Sequence, residues 1–373
     1  MHNCEVRTSI DPEGRLRLWL EESVVDAPEP DELLIRIEAA PLNPSDQILL
    51  FGPVDPKSLK QSGTPQKPVI EGQIPAGRMA IVAARLGRSL PAGNEGAGTV
   101  VAAGKNVGAL VGRTVALRAS PGTFSRYQIA RAADCMVLPE GMPARDGAAA
   151  FINPLTALGM VETMRREGHT ALVHTAAASN VGQMLNRLCL ADDIPLVNIV
   201  RSEQQVELLR GEGAQYVLDS SDEHFRDRLV EALAETGATL AFDAIGGGTM
   251  AATILAAMET VASRKLASYS RYGSPTHKQV YVYGLLDPSP RDLNGNFGMA
   301  WGVGGWLMTW FYERIGPVDT ARLKERVVKE LTTTFASRFS VEIGLAEMLS
   351  LDAIGAYTRR ATSSKFLVTP QKD

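Results

Sequence analysis

The sequence predicts an α/β chain in which a doubly wound parallel sheet is joined to a β-rich region. In the second half, strand-like and helix-like segments alternate, which is typical of right-handed crossovers and a parallel sheet. A turn of small residues lies between the first strand and the first helix of that half. Short apolar or alternating runs between Gly, Pro and Asn fill the region before it, and these predict strands.

Length and composition set the class of protein. A chain of 373 residues exceeds one compact core of usual size, so two domains, or one domain interrupted by another, are expected. The apolar fraction of 45% and the charged fraction of 21% are those of an ordinary globular protein. The formal net charge of -4 gives no reason to expect nucleic acid or an acidic membrane as partner, so an anion would have to bind at a local site.

Cysteine usage and hydropathy indicate a soluble protein of the cytoplasm. The widely spaced cysteines fit neither a disulfide framework nor a metal clip; they are Cys4, Cys135 and Cys189. No apolar run follows a basic patch at the N-terminus, so no secretory signal is expected. The most apolar stretch, Gly298 to Tyr312, is rich in glycine and shorter than the ~20 residues of a membrane span.

The first region is predicted to contain four strands and a long excursion. The strands are Leu33 to Glu38, Gly98 to Ala102, Thr114 to Leu117 and Tyr127 to Ala130. The connection between Gly52 and Gly93 contains six prolines and predicts irregular structure with one helix, Gly77 to Leu86. A connection of that length is usually functional or mobile.

From about residue 170 the predicted elements alternate. The strands are Ala171 to Thr175, Leu196 to Val200, Tyr216 to Leu218, Thr239 to Ile245 and Val280 to Tyr283; the helices are Val181 to Leu190, Glu203 to Gly211, Phe225 to Ala234 and Met250 to Val261. After Gly316 come a helix (Thr320 to Leu331), a strand (Ser340 to Ile343), a helical segment (Leu345 to Met348) and a last strand (Phe366 to Val368). This tail is too small to bury its own core. We expect it to return to the first region, which makes the β domain discontinuous.

The turn from Ala176 to Gly182 is the candidate site for a pyrophosphate. A strand runs directly into it and a helix follows, so the helix N-terminus offers backbone N–H groups to an anion. Small residues are needed because the phosphates contact main chain, and Gly182 allows the helix to pack close to the strand. The usual glycines are replaced by Ala176 and Ser179, so the prediction depends on this context. The predicted cofactor contacts are Ala177, Ser179, Asn180, Val181 and Gly182.

Residues after the second and fourth strands indicate the cofactor. A carboxylate after the second strand would bind the adenosine ribose of NAD, whereas Arg201 and Ser202 suit a 2′-phosphate and predict NADPH. The alternative is that Arg201 only solvates a loop. After the fourth strand, Ile245 and Gly246 are predicted to approach the nicotinamide, or to form a flexible turn.

Several strings in the same order resemble the zinc-free medium-chain dehydrogenases/reductases over nearly the whole chain. They are VHTAAASNVGQMLNRL, AAPLNPSDQILLFG, PAGNEGAGTVVAAGKNVGALVGRTVA, NPLTALGM and TSSKFLV. Quinone reductases and enoyl-thioester reductases are similar to different parts of this set. The resemblance implies a GroES-like β-barrel domain, a Rossmann domain, NADPH between them, and commonly a homodimer that pairs through its last Rossmann strand. The implied domains are 1–149 (GroES-like, first part), 150–316 (Rossmann, NADPH-binding) and 317–373 (GroES-like, returning part).

The resemblance also implies roles outside the turn. Asn43 and Thr156 would lie beside the nicotinamide as catalytic contacts, and Gly284 and Lys365 would contact the cofactor. Each of the two catalytic candidates also has a structural alternative. Asn43 would then only form the turn before Pro44, and Thr156 would only supply a hydroxyl near a helix N-terminus.

Two departures from the family pattern bear on the chemistry. Asn94 stands where zinc alcohol dehydrogenases have a histidine, and the cysteines of a structural zinc lobe are missing, so no metal is expected. Enoyl-thioester reductases have a proton-donating tyrosine at the position of Val54. Its loss favours a quinone, because water can protonate the reduced oxygen. Tyr127, Tyr269 or Tyr272 could replace that donor.

The sequence therefore predicts metal-free hydride transfer from NADPH to a quinone or similar conjugated carbonyl. The alternatives are an enoyl-thioester or alkenal reductase and a catalytically silent NADPH-binding protein. The run containing Trp301, Trp306, Trp310 and Phe311 is expected in the core, at a dimer interface or, as a second choice, in a substrate wall. His174 is expected to be a satisfied core histidine.

Overall fold

The computed structural model describes residues 1–118, 122–359 and 365–372, and its chain forms two compact units. Unit 1 is Met1–Ile152, Val327–Thr332 and Ala336–Asp373. Unit 2 is Asn153–Arg326 and Thr333–Phe335.

Strands and helices are numbered in chain order. The strands of the described residues are β1 (His2–Ile10), β2 (Arg15–Val24), β3 (Glu32–Pro41), β4 (Lys60–Gly63), β5 (Pro68–Gln73), β6 (Ser89–Pro91), β7 (Glu95–Ala103), β8 (Thr114–Arg118), β9 (Tyr127–Arg131), β10 (Cys135–Val137), β11 (Leu172–Thr175), β12 (Leu196–Val200), β13 (Tyr216–Asp219), β14 (Leu240–Asp243), β15 (Lys278–Val282), β16 (Trp301–Gly305), β17 (Val341–Ile343) and β18 (Phe366–Val368). The helices are α1 (Pro44–Phe51), α2 (Met79–Val82), α3 (Ala144–Gly147), α4 (Ile152–Arg166), α5 (Asn180–Ala191), α6 (Glu203–Gly211), α7 (Phe225–Thr236), α8 (Met250–Arg264), α9 (Met308–Lys329), α10 (Leu345–Met348) and α11 (Leu351–Tyr357).

Unit 1 consists of two mainly antiparallel sheets around one apolar core. Their strand orders are β4-β5-β2-β1-β6 and β10-β8-β7-β3-β18-β17, with β9 also on β3. Strand β18 pairs with β3, Leu367 opposite Pro41. Residues of the returning tail, such as Met348 and Val368, share the core with Ile35 of β3. The predicted return of the tail to the β-rich region is confirmed.

Unit 2 contains a six-stranded parallel sheet in the order β13-β12-β11-β14-β15-β16. The central strand β11 pairs with β12 on one side and β14 on the other, with Val173 opposite both Val197 and Ala241. The chain leaves β11 toward β12 and β13, then returns to β14. The direction of winding therefore changes at β11, and the crevice at its carboxyl end is where such sheets bind ligands. The predicted doubly wound fold is confirmed.

The elements predicted from the sequence differ from the observed ones at the N-terminus, in the proline-rich connection and in α9. The N-terminal hairpin of β1 and β2 was missed although its signals are local. Exposed arginines alternate with buried Leu16 and Leu18 at the start of β2, and Gly14 (φ 80) lies in the turn between the two strands. The helix predicted at Gly77 to Leu86 is reduced to α2 between 3₁₀ turns. The helix predicted from Thr320 belongs to α9, which begins earlier and is broken at Gly316 (φ 81) before Pro317.

Candidate functional site

The turn between β11 and α5 has the geometry of an anion site. Ser179 caps α5: its Oγ accepts the Gly182 N–H at 3.2 Å, and its carbonyl accepts the Gln183 N–H at 2.9 Å. The Ala177 N–H donates to the Ile199 carbonyl at 3.1 Å and joins the turn to β12. The predicted contacts Ala177, Ser179, Asn180, Val181 and Gly182 thus lie together at a helix N-terminus, where backbone N–H groups lack helical acceptors and the dipole favours an anion.

Gly182 lets α5 approach the main chain of the turn. A Cβ on Gly182 would lie 2.1 Å from the Ala177 carbonyl oxygen, closer than any real contact. Ala176 has φ 50, in the left-handed region that glycine occupies without cost. An alanine in place of the usual glycine therefore leaves local backbone strain of about 1 kcal/mol at this position.

Arg201 and Ser202 lie at the same edge of the sheet, directly after β12. The Arg201 N–H donates to the Gln205 side chain at 3.1 Å, and the Arg201 side chain is exposed. Within the described part of the chain, the Arg201 guanidinium forms no ion pair with an acidic side chain. It is therefore available to an incoming anion.

On the other side of β11, the turn after β14 meets the end of β15. The Asp243 carboxylate accepts the Thr175 hydroxyl at 2.7 Å and the N–H groups of Ile245 and Gly246 at 2.9 and 3.1 Å. Gly246 has φ 80, and a Cβ there would lie 2.4 Å from the Gly284 carbonyl oxygen. Ile245, Gly246 and Gly284 thus lie close together at this edge, and their contact with a cofactor stays a prediction. A cavity of about 330 Å³ at this edge is lined in part by Gly284.

In unit 1, Asn43 is held by two buried carboxyl groups. Its Nδ2 donates to Glu95 Oε1 and its backbone N–H donates to Asp46 Oδ2, both at 2.8 Å. The second oxygen of Glu95 accepts the N–H groups of Phe151 and Ile152 at 2.9 Å. Asn43 therefore does more than form the turn before α1, because its side chain is fixed in a buried polar cluster.

Burial controls the charges of this cluster. Burial raises the pKa of Asp46 to about 7, and the charge of Glu95 adds to that rise. Burial also raises the pKa of Glu95, although the Lys365 ammonium opposes the change. Burial lowers the pKa of Lys365 to about 8 despite both carboxyl groups. The buried Lys365 Nζ has no hydrogen-bond partner among the described residues, so it is a donor that a ligand oxygen would satisfy.

Thr156, Trp306 and Phe311 lie in the core of unit 2, whereas the rest of the aromatic run is at the surface. Thr156 is buried in α4. The Trp306 indole N–H donates to the Thr163 hydroxyl at 3.1 Å, and Phe311 packs against the same ring system. The other two tryptophans, Trp301 and Trp310, are partly and largely exposed.

Tyr269 and Tyr272 lie at the amino edge of the sheet, opposite the candidate nicotinamide contacts at its carboxyl edge, so they do not fit the role of proton donor to the acceptor. They are exposed in the loop that leads into the amino end of β15. Tyr127 belongs to β9 of unit 1. The Tyr283 hydroxyl bonds to His174 Nε2 at 2.7 Å, and burial lowers the pKa of His174 to about 3.

The expectation of a satisfied His174 holds for only one ring nitrogen. Its Nδ1 has no partner among the described residues. Sequence reasoning missed Asp46, Glu95 and Asp243 as residues that position others. For Asp243 the signal was a carboxylate at the end of a wholly apolar strand.

The described residues contain neither a cluster of metal ligands nor a helix that could span a membrane. No group of three or more His, Cys, Asp or Glu side chains there is placed to hold a metal ion. None of the helices described is both long and apolar enough to cross a bilayer.

Known proteins resemble the chain in sequence and in structure. No family model matches it. It is 26% identical over 251 residues to the synaptic vesicle membrane protein VAT-1 homolog of Mus musculus, which covers 66% of this chain and 54% of that protein. It is 27% identical over 237 residues to the mitochondrial enoyl-[acyl-carrier-protein] reductase of Caenorhabditis elegans, covering 60% and 58%. The chain thus spans about half the length of these curated relatives.

A solved structure covers the whole chain. The protein, from Mesorhizobium loti and assigned as an NADPH:quinone reductase, has a TM-score of 0.74 at 23% identity and covers 99% of this chain and 98% of its own. The chain therefore has the fold that its sequence predicts, with a Rossmann domain in unit 2 and a GroES-like domain in unit 1.

Gly182→Ala tests the close approach of α5 to the turn. The added methyl group must displace the helix from Ala177, so we expect a loss of about 1 to 3 kcal/mol in the free energy of unfolding, measured in urea. Gly211→Ala in α6 is the matched control, because its Cβ would meet nothing within 4 Å. An unchanged free energy of unfolding in Gly182→Ala would show that the contact between α5 and Ala177 does not require glycine.

Asp46→Asn tests the buried cluster. Between the ordinary Asp value of 3.8 and the folded pKa of about 7, the native state holds a proton that the unfolded state has lost. The free energy of unfolding should therefore fall as pH rises through this interval, by up to about 1.4 kcal/mol per pH unit. Asp46→Asn should reduce that slope, and Asp26→Asn, at an exposed site, should keep it. An unchanged slope in Asp46→Asn would contradict the raised pKa of Asp46.

Proposed function

We propose that the protein is an NADPH-dependent reductase that transfers hydride to a quinone or a similar conjugated carbonyl without a metal. The observation that carries this proposal is the main-chain turn at the β11–α5 junction, next to an exposed arginine without an acidic partner in the described chain. The residues present fit a dinucleotide, because Gly182 lets the N-terminus of α5 lie close to the main chain of the turn, where free backbone N–H groups can meet phosphate oxygens.

Each candidate at the carboxyl edge of the unit 2 sheet receives a role. Backbone N–H groups of Ala177 to Gly182 bind the pyrophosphate, and Arg201 with Ser202 binds the 2′-phosphate. The main chain at Ile245, Gly246 and Gly284 lies against the nicotinamide. When bound, NADPH supplies the hydride.

In unit 1, the proposed contribution is orientation. Glu95 and Asp46 fix the Asn43 amide, and the Lys365 ammonium is a donor for an oxygen of the cofactor or the acceptor. Thr156 of unit 2 would lie behind the nicotinamide ring. Positioning and exclusion of water would then supply most of the rate increase.

The choice of a quinone as the acceptor rests on how the reduced product receives its proton. A quinone that accepts a hydride becomes a hydroquinone anion, whose oxygen takes a proton from water. Reduction of an enoyl thioester instead needs a proton delivered to carbon. Val54 is buried in the apolar core of unit 1 and offers no hydroxyl, and the Tyr283 hydroxyl is bound to His174.

Enoyl-thioester or alkenal reduction remains the second candidate, favoured by the likeness to the enoyl-[acyl-carrier-protein] reductase. A catalytically silent NADPH-binding protein is the third. The cytoplasmic location expected from the cysteines stays a prediction.

A homodimer through β16 is also part of the proposal. Strand β16 is the last strand of the unit 2 sheet, so among the residues described its outer backbone groups have no partner strand. Trp301, Leu307 and Trp310 near it are 37%, 46% and 67% exposed. Pairing of two copies along β16 would satisfy the strand and cover part of this apolar surface.

Arg201→Ala tests the cofactor assignment. Loss of the cation should weaken NADPH binding at least about tenfold and leave NADH binding nearly unchanged, because only NADPH carries the 2′-phosphate. Isothermal titration with both dinucleotides measures the difference. Arg210→Ala, exposed at the end of α6, serves as control and should change neither. Equal losses for both cofactors in Arg201→Ala would refute the role.

An acceptor panel tests the reaction. With saturating NADPH, stopped-flow oxidation should be faster with a benzoquinone or phenanthrenequinone than with a crotonyl thioester. Turnover of the thioester alone would establish the second candidate instead. Tight NADPH binding without turnover of quinones, enones or thioesters would establish the third.

A further inference from the structure

The surface at the amino edge of β15 and β16 has an unusual charge. From Thr260 to Leu286 the sequence contains no Asp or Glu, although the whole chain has a net charge of -4. Three cations of this segment are exposed: Arg264, Lys265 and Arg271. None of them forms an ion pair within the described residues. The segment is therefore a local cationic surface on an acidic protein.

Large apolar and aromatic side chains accompany these cations. Tyr269 is 92% exposed, Tyr272 is 60% exposed and Met299 is 76% exposed. The Arg271 guanidinium lies 4.7 Å from the centre of the Tyr272 ring. A cleft of about 480 Å³ beside them is lined by Leu266, Ala267, Ser268, Ser270, Tyr272, Gly273, Ser274, Pro275, Met299 and Ala300. Tyr, Met and Arg are the residues enriched in protein interfaces, where Asp and Glu are depleted.

A buried ion pair fixes the loop 265–277 that forms one side of the cleft. Glu259 of α8 is paired with Lys278, and both side chains are buried. The Glu259 carboxylate also accepts the Ser274 N–H and the Ser274 hydroxyl, both at 2.8 Å. Gly273 packs so closely on Glu259 that a Cβ would lie 2.5 Å from its Oε1. The end of the loop that leads into β15 is therefore anchored to α8.

Lys278 also holds the other side of the cleft, which is formed by the residues before β16. The Lys278 N–H donates to the Ala300 carbonyl at 3.0 Å, and Lys278 lies opposite Trp301 in the β15–β16 ladder. Burial alone would raise the pKa of Glu259, but hydrogen bonds from Lys278, Ser263 and Ser274 lower it to about 2. Glu259 thus stays ionised at neutral pH, and the residues of the cleft that adjoin β15 and β16 are held in place before a partner binds.

We propose that this cleft docks an acidic segment of a partner protein, with an apolar side chain of the segment inserted between Tyr272 and Met299 and its carboxylates on Arg264, Lys265 and Arg271. Charge complementarity argues for an acidic partner. The fixed cleft with Tyr, Met and Arg side chains favours a protein over nucleic acid or a membrane, since the net negative charge opposes extended polyanions. The surface lies at the sheet edge opposite the β11–α5 turn, so docking would leave that turn accessible.

A labelled glutamate-rich peptide with one leucine is the probe, and the same peptide with lysine in place of glutamate is its control. By fluorescence anisotropy, the full-length protein should bind the acidic peptide below about 1 mM, more weakly at higher salt, and should not bind the lysine peptide. The variant Arg264→Glu with Arg271→Glu should weaken binding at least about tenfold. Tyr272→Ser, which keeps the charge, should weaken it about threefold or more.

The matched control is Arg210→Glu with Arg226→Glu, which makes the same change in net charge at exposed positions of α6 and α7. It should bind the peptide like the unmodified protein, and all variants should keep the unmodified thermal midpoint. No binding of the acidic peptide, or equal losses in both double variants, would overturn the proposal. Binding to phosphatidylserine vesicles or to single-stranded DNA in preference to the peptide would overturn it as well.

Discussion

The close contact between α5 and the end of β11 is the constraint on which the rest of the site depends. Gly182 lies against the Ala177 carbonyl, with no space for a side chain between them. The helix N-terminus can therefore stand directly over main chain, and Ala176 accepts a left-handed backbone to make the turn. Strand pairing places the segments after β12 and β14 on the two sides of this turn.

Buried carboxyl groups hold the segments around both sets of candidate residues. In unit 2, Asp243 joins the turn after β14 to the end of β11 through the Thr175 hydroxyl. In unit 1, Glu95 and Asp46 hold Asn43. Each carboxylate accepts several N–H or O–H groups, so removal of one would leave buried donors without partners. We therefore regard these acids as positioning residues for the neighbouring polar groups.

The fold could be predicted well where a single segment contains its own signal. Strand β12 and helix α6 have the predicted ends, because an apolar strand and an amphipathic helix are local patterns. Strands β1 and β2 form a local hairpin that was overlooked, whereas the pairing of β1 with β6 and of β2 with β5 joins residues far along the chain and has no local signal. The same limit applies to the site: small residues at 176–182 are visible in the sequence, whereas the contact of Glu95 with Asn43 joins residues 52 positions apart.

Hydrogen–deuterium exchange with and without NADPH tests the central claim most directly. Bound phosphates would engage the N–H groups at the start of α5, so peptides that cover 176–184 should exchange more slowly in the presence of NADPH. Peptides that cover 265–277, at the opposite edge of the sheet, should be unaffected. Binding of NADPH that protects other segments and leaves 176–184 unchanged, or no binding of NADPH, would contradict the account.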